Sequence, residues 1–404
     1  MLSNCEDFFR RICLRYILFF LLPLKLICSP ADDILSGMSL DEKIGQLFML
    51  PAAPKRDEKS KKLFIDIIKK YHIGGIIVKQ SDPFSQINFL NVIQKNVNIP
   101  LLVSSDSEWG LGMRMENTIS YPKNYYLSKV KDDNLLYRLG QEIARELKLV
   151  GVHINLAPVV DISSPDTVCI KERSFSINPN IVARKAIKIA KGMQDENILA
   201  CAKHFPGLGE IKVDPHLDLP YADHDLARLK NIEFVPYYDL INNDIAMIMS
   251  SHIVLKKISS LPATLSHEII TDILRNELNF KGLIITDALN MKALMNNFSA
   301  GEIALLAHKA GNDILLYGDD IYENIDDILF NQLPKAFRAI KEAYLNNQID
   351  MSFLDSAVLK VLKAKEKLKI LVPQQELTFI EEELNSKYAR DLKERLEDEI
   401  SKNR

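Results

Sequence analysis

Residues 202–216, AKHFPGLGEIKVDPH, gather two histidines, a lysine and Asp214 two places before the second histidine, His216. The apolar run ahead of them, 198–202, has the composition of a buried strand, and Pro206, Gly207 and Gly209 then force a loop. Titratable groups crowded where a buried strand becomes a loop have the layout of an active site; a polar surface loop is the plain alternative. The Asp214–His216 spacing lets a carboxylate fix an imidazole's tautomer and raise its basicity, and an imidazole both gives and takes a proton near neutral pH. Asp287 follows the unbroken apolar run 282–285, a position for either a helix N-cap or a catalytic carboxylate. Asp106 offers the same choice. Two strand-end Asp residues with Lys, Arg and His around them suit a carbohydrate, whose hydroxyls bond carboxylates and cations. Glycosidic cleavage needs one carboxylate at the anomeric carbon and a proton donor beside the leaving oxygen.

Such groups must be brought together by the elements between them. Short apolar runs read as strands over 46–50, 75–78, 101–104, 153–157, 199–203, 246–249, 283–286 and 313–316. Helical periods fall between them, over 60–71, 85–95, 133–149, 181–196, 225–242 with a kink at Pro236, 266–278, 299–310 and from Tyr322 onward. About eight strand–helix alternations without a break in composition predict a parallel sheet, and their number and length favour an α/β fold of the (β/α)8 TIM-like barrel type. No G-x-G-x-x-G follows the first strand and no Walker-type loop is present, so a nucleotide fold has no direct support. In a barrel the chemistry gathers at the C-terminal strand ends. Asp106, Glu108 and Arg114 follow the third strand, Asp161 and Arg173 the fourth, Lys203, His204, Asp214 and His216 the fifth, Ser250, Ser251 and His252 the sixth, and Asp287 the seventh.

The chain has 404 residues and a net charge of −3 with no basic stripe, so a nucleic-acid partner is not expected. Arg10, Arg11 and Arg15 precede the apolar run 16–24, with Lys25 and then Cys28, Ser29, Pro30 and Ala31 behind it. That order describes a secretory signal peptide, with an uncleaved anchor as the alternative, and any membrane attachment would run through this segment. The expected organisation is a leader at 1–30, a single catalytic domain at 36–371 closed by a helix over 354–371, and a charged C-terminal tail at 372–404, a solvated helix or a frayed end. Outside the leader only Cys169 and Cys201 remain, which makes neither a disulfide framework nor a metal-site spacing. His204 and His216 lie on one loop without an obvious third ligand, so no metal and no cofactor is expected.

Five stretches, in order, resemble glycoside hydrolase family 3, specifically its β-N-acetylglucosaminidase branch. They are SDSEWGLGMR (105–114), GVHINLAPVVDI (151–162), ERSFS (172–176), KHFPGLGEIKVDPH (203–216) and ITDALNM (285–291). The resemblance implies that Asp287 is the nucleophile of a covalent glycosyl-enzyme and that His216 is the general acid/base with Asp214 as its partner. It further implies that Asp106, Arg114, Arg173, Lys203 and His204 bind the sugar. The implied activity is a retaining exo-β-N-acetylglucosaminidase on glycans ending in β-linked N-acetylglucosamine, cell-wall fragments or chitin-type oligosaccharides, exported to the periplasm or secreted, or anchored in the inner membrane. A β-glucosidase or β-xylosidase, a phosphorylase of the same family, and a non-catalytic glycan-binding barrel are the alternatives. Leu208, Ser176, Pro215 and Trp109 depart from the residues common at their positions. Pro215 stiffens the acid/base loop, and Trp109 either lines the sugar site or packs the barrel mouth.

Overall fold

The computed structural model describes residues 29–163, 167, 170–209, 211, 214, 217–318, 324–372, 375–379 and 381–403. Eight short parallel strands build one sheet: β1 (Phe48–Ala52), β2 (Gly75–Val78), β3 (Leu102–Ser105), β4 (Ile154–Asn155), β5 (Leu199–Phe205), β6 (Met247–Ser250), β7 (Leu283–Thr286) and β8 (Leu315–Leu316). Each strand pairs with its neighbour in the chain, β8 pairs with β1, and a bridge between Ile285 and Ile314 closes the ring. The fold is the expected (β/α)8 barrel.

The crossover helices form because each carries one apolar stripe that must leave water. The helix Asp133–Leu149 buries Leu135, Leu136, Leu139, Ile143 and Leu147, and Glu58–Tyr71 buries Phe64, Ile67 and Ile68. Their starts are set by Asp57, Asp82 and Asp132, whose carboxylates accept first-turn N–H groups. Inside the ring the strands pack a second core from alternate residues, among them Ile77, Leu156, Leu199, Cys201, Met249, Ile285 and Leu316. Val361 and Ile370, from the closing helix Met351–Lys367 and the turn after it, belong to the same interior core.

Several boundaries differ from the sequence reading. Gln46 ends the helix Leu40–Gln46, started by a Ser39–Glu42 capping box, so the first strand begins at Phe48. The helix expected over 225–242 is two, Leu226–Asn231 and Val235–Asn242, and Pro236 sits in the first turn of the second, where its missing N–H costs nothing. The segment 266–278 is π-helical over Glu268–Glu277. Of the helix expected from Tyr322, residues 322 and 323 lie outside the described ones; a helix begins at Ile325 with Asn324 as its N-cap. The tail is a helix over Lys387–Lys402, as one of the two expectations had it, but not a solvated one: Ala389, Leu392, Leu396 and Ile400 recur at helical spacing and are buried against the barrel's outer layer. The leader lies outside the described residues, and no helix among those described is long and apolar enough to cross a membrane.

Lys365, in the last turn of the closing helix, is fully buried and donates to Gln46 Oε1 at 2.6 Å. Burial pushes its pKa down from 10.5 to about 7. Between pH 7 and pH 10 the unfolded chain therefore holds a proton that the folded protein has released, and this residue's contribution to stability rises with pH. Lys365→Met removes that slope. Denaturant titrations at pH 7 and pH 9.5 are expected to show Lys365→Met the more stable at pH 7, with its lead over wild type shrinking at pH 9.5.

Candidate active site

The two-residue period of a strand decides which side chains reach the mouth of the barrel. In β5 the inward residues are Leu199, Cys201 and then Lys203; along β7 they are Leu283, Ile285 and then Asp287. By the same phase Ile77 leads to Lys79 past β2, and Leu102 and Ser104 lead to Asp106 past β3. Each strand thus changes from apolar interior to charged mouth in one step. The result is a cavity of about 270 Å³ with a floor of Ile77, Leu156, Met249 and Leu316. Its walls carry Asp106, Glu108, Asp287, Lys79, Arg114, Arg173, Lys203 and His204.

The charged groups form one network. Lys203 Nζ lies 2.8 Å from Asp106 Oδ1 and 2.9 Å from Glu108 Oε1. Arg173 grips Glu108 with both ends of its guanidinium, Nε to Oε2 at 3.0 Å and Nη2 to Oε1 at 2.7 Å, a planar pairing that fixes orientation as well as charge. Arg114 Nη2 meets Asp106 Oδ2 at 3.2 Å. Burial by itself would raise the pKa of Asp106, but Lys203, Arg114 and Lys79 outweigh it and hold the carboxyl far below the usual range. Glu108 follows the same logic: burial opposes ionisation, Arg173 and Lys203 override it, and its pKa falls to about 2. Lys203 and Arg173 are raised in return by these carboxylates, against burial. Asp106 and Glu108 are therefore permanent anions near neutral pH. They can bond hydroxyls and position cations; they cannot store a proton.

His204 is placed by Asp161, whose Oδ2 lies 2.7 Å from Nδ1 while Oδ1 accepts the N–H of Leu208 at 2.7 Å. His204 Nδ1–H thus donates to the carboxylate, and Nε2 is left for a ligand. The loop beyond needs its glycines. Gly207 has φ +135°, and a Cβ on Gly209 would sit 1.7 Å from the Ile162 carbonyl oxygen, closer than any packing tolerates. Asp214 accepts the N–H of Leu217 on its main-chain oxygen at 2.9 Å. His216 and Pro215 lie outside the described residues, as does the Asp214–His216 pairing expected from the sequence.

Asp287 is held by its backbone. Its N–H donates to Ser250 O at 2.8 Å, tying the β7 end to β6, and the Ala288 N–H donates to Asp287 Oδ1 at 2.8 Å. The Leu289 N–H donates to Leu316 O at 2.9 Å, tying the same turn to β8.

A model of the glycosyl hydrolase family 3 N-terminal domain matches residues 39–364. The chain belongs to glycoside hydrolase family 3. Within family 3, it is 31% identical over 285 residues to the β-hexosaminidase of Nitrosomonas eutropha, covering 68% of this chain and 81% of that protein. It is 29% identical over 330 residues to β-hexosaminidase A of Pseudoalteromonas piscicida, covering 75% of this chain but only 55% of that protein's length. Among solved structures, the family 3 β-N-acetylglucosaminidase of Paenibacillus sp. FPU-7 superposes with a TM-score of 0.81 at 29% identity, covering 90% of this chain and 69% of that one.

Of the residues singled out from sequence, Asp287, Asp106, Arg114, Arg173, Lys203 and His204 all line the one cavity. Three further residues of the site were given no role from the sequence, Glu108 and Asp161 being noted only as strand-end polar groups. Glu108 stands in the D-x-E of the quoted motif, and Asp161 closes another. Lys79 carried a signal of its own, since it continues the inward phase of β2; its Nζ donates to Gly318 O at 3.1 Å. Trp109 is not part of the cavity wall: its ring lies under Lys123, 5.4 Å from Nζ to the centroid, beside the Lys123–Glu172 ion pair of 2.9 Å.

Proposed function

We propose that this protein is a retaining exo-β-N-acetylglucosaminidase that removes β-linked N-acetylglucosamine from the ends of glycans. The observation that carries the reading is the division of labour among the cavity's carboxylates. Asp106 and Glu108 are locked ionised into Lys203, Arg114 and Arg173, which suits them to grip sugar hydroxyls. Asp287 projects from the β7 end into the same cavity, which suits it to attack.

In the first step an Asp287 carboxylate oxygen forms a bond to the anomeric carbon. The glycosidic C–O bond breaks, and the leaving oxygen takes a proton from the general acid. In the second step water attacks that carbon, gives its proton to the same group, now a base, and releases Asp287 with the starting anomeric configuration. Since neither Asp106 nor Glu108 can hold the proton, the donor is a group outside their network, and the motif resemblance assigns it to His216 with Asp214. The β-hexosaminidase and β-N-acetylglucosaminidase names of the relatives support N-acetylglucosamine as the sugar. The basic and apolar leader supports export, with bacterial cell-wall or chitin-type fragments as substrates.

The test is hydrolysis of chromogenic β-N-acetylglucosaminide beside the matching β-glucoside, with and without phosphate, following the anomer released by NMR. Cleavage of the first alone, with β product, upholds the proposal. Preference for the glucoside overturns the sugar assignment. Turnover only with phosphate makes the protein a phosphorylase, and no turnover of either makes it a glycan-binding barrel.

A further inference from the structure

His252, two residues beyond β6, takes no part in the cavity wall, yet it is fully buried directly behind the nucleophile turn. Both of its ring nitrogens face oxygen. Nε2 lies 3.0 Å from the carbonyl oxygen of Ala288, the residue after Asp287. A carbonyl oxygen only accepts, so Nε2 carries a proton. Nδ1 lies 3.0 Å from Thr264 Oγ1. The Thr264 hydroxyl also lies 2.7 Å from Ser251 O, which accepts the Thr264 backbone N–H at 3.0 Å.

From this geometry we infer that His252 is a positioning residue for the nucleophile: its Nε2–H clamps the Ala288 carbonyl and so sets the direction of the Asp287 carboxylate. The inference rests on the reading of Asp287 as nucleophile. The clamp works through one residue, Ala288, whose N–H and carbonyl belong to the two peptide units on either side of its Cα. Ala288 offers its N–H to Asp287 Oδ1 at 2.8 Å and its carbonyl to His252. The N–H of Asp287 is pinned on Ser250 O at 2.8 Å, one residue from Ser251, whose carbonyl holds Thr264. The turn is thus tied at one end to β6 and at the other to the segment just beyond it, and a change in the backbone angles of Ala288 would move the N–H that holds the carboxylate.

Two substitutions separate positioning from filling space. His252→Gln places an amide N–H where Nε2 stands and keeps the donor to Ala288. His252→Asn places its amide at the Nδ1 position, keeps Thr264 and abandons Ala288. The expected result is that Asn lowers kcat by about 10- to 100-fold with KM little changed, whereas Gln recovers most of the rate; angular misplacement of a reacting group carries costs of that size. Histidine-selective 15N NMR of the whole protein, with His252→Gln to assign the signal, is expected to show Nε2 protonated at pH 7. A ring with Nε2 bare in that spectrum overturns the clamp. Equal loss in Asn and Gln that parallels a drop in Tm makes the residue structural and overturns the clamp. Failure of the underlying reading looks different: Asp287→Ala would then retain turnover, while the NMR signature of His252 stands unaltered.

Discussion

Asp287→Ala is expected to abolish turnover, by roughly 10,000-fold or more in kcat, as removal of a covalent nucleophile does elsewhere. The loss should be chemical and not a failure to fold. The backbone bonds of the turn, Asp287 N–H to Ser250 O and Leu289 N–H to Leu316 O, involve no side-chain atom of Asp287, and the side-chain bond forgone, Ala288 N–H to Oδ1, costs about 1 kcal/mol. The decisive addition is azide. In Asp287→Ala an external anion has room where the carboxylate stood, and attack from that side gives the α-glycosyl azide, opposite in configuration to the substrate. Rate recovery with that product identifies the side chain as nucleophile. Full activity of Asp287→Ala, or recovery with the β-azide, would place the nucleophile elsewhere.

The second large effect belongs to Glu108, which the sequence reading placed after the third strand without a role. Its carboxylate, almost wholly buried, is shared by Arg173 and Lys203. Glu108→Gln leaves the buried Lys203 and the partly exposed Arg173 short of an anion, and removing one partner of a buried pair costs about 3–5 kcal/mol. Arg173 loses its planar grip and Lys203 keeps only Asp106. Misdirected sugar-binding groups should then lower kcat/KM by about 100-fold. The pH dependence carries a definite sign. Unfolded, Glu108 ionises around 4.5; folded, it stays charged down to about 2. Its contribution, about 3 kcal/mol, is complete above pH 4.5 and is lost as pH falls from there towards 2. Denaturant unfolding between pH 7 and pH 3 is expected to show wild type losing more stability than Glu108→Gln, the two curves converging in acid. Parallel curves would mean that the ion pairs contribute nothing net.

The barrel was legible in the sequence because its signals are local. Apolar runs of strand length alternate with amphipathic helices, and N-caps such as Asp57 and Asp132 mark where each helix begins. Asp287 and Lys203 were legible for a related reason, since each ends an apolar strand whose period of two points it into the barrel mouth. Boundaries read poorly where one run served two elements. Gln46 belongs to a helix although it abuts β1, and Pro236 opens a helix instead of kinking one. The tail's apolar stripe from Ala389 to Ile400 was hidden by the charged residues that outnumber it. What no local pattern holds is charge balance across the chain. Asp106 and Lys203 are 97 residues apart, Glu108 and Arg173 are 65 apart, and only ring closure brings them within bonding distance. The tertiary structure therefore decided which carboxylates are locked as anions and that His204 is oriented by Asp161. It decided too that His252 stands behind Asp287 with Nε2 on the Ala288 carbonyl oxygen, because ionisation and hydrogen-bond direction depend on neighbours that strand order, not sequence distance, supplies.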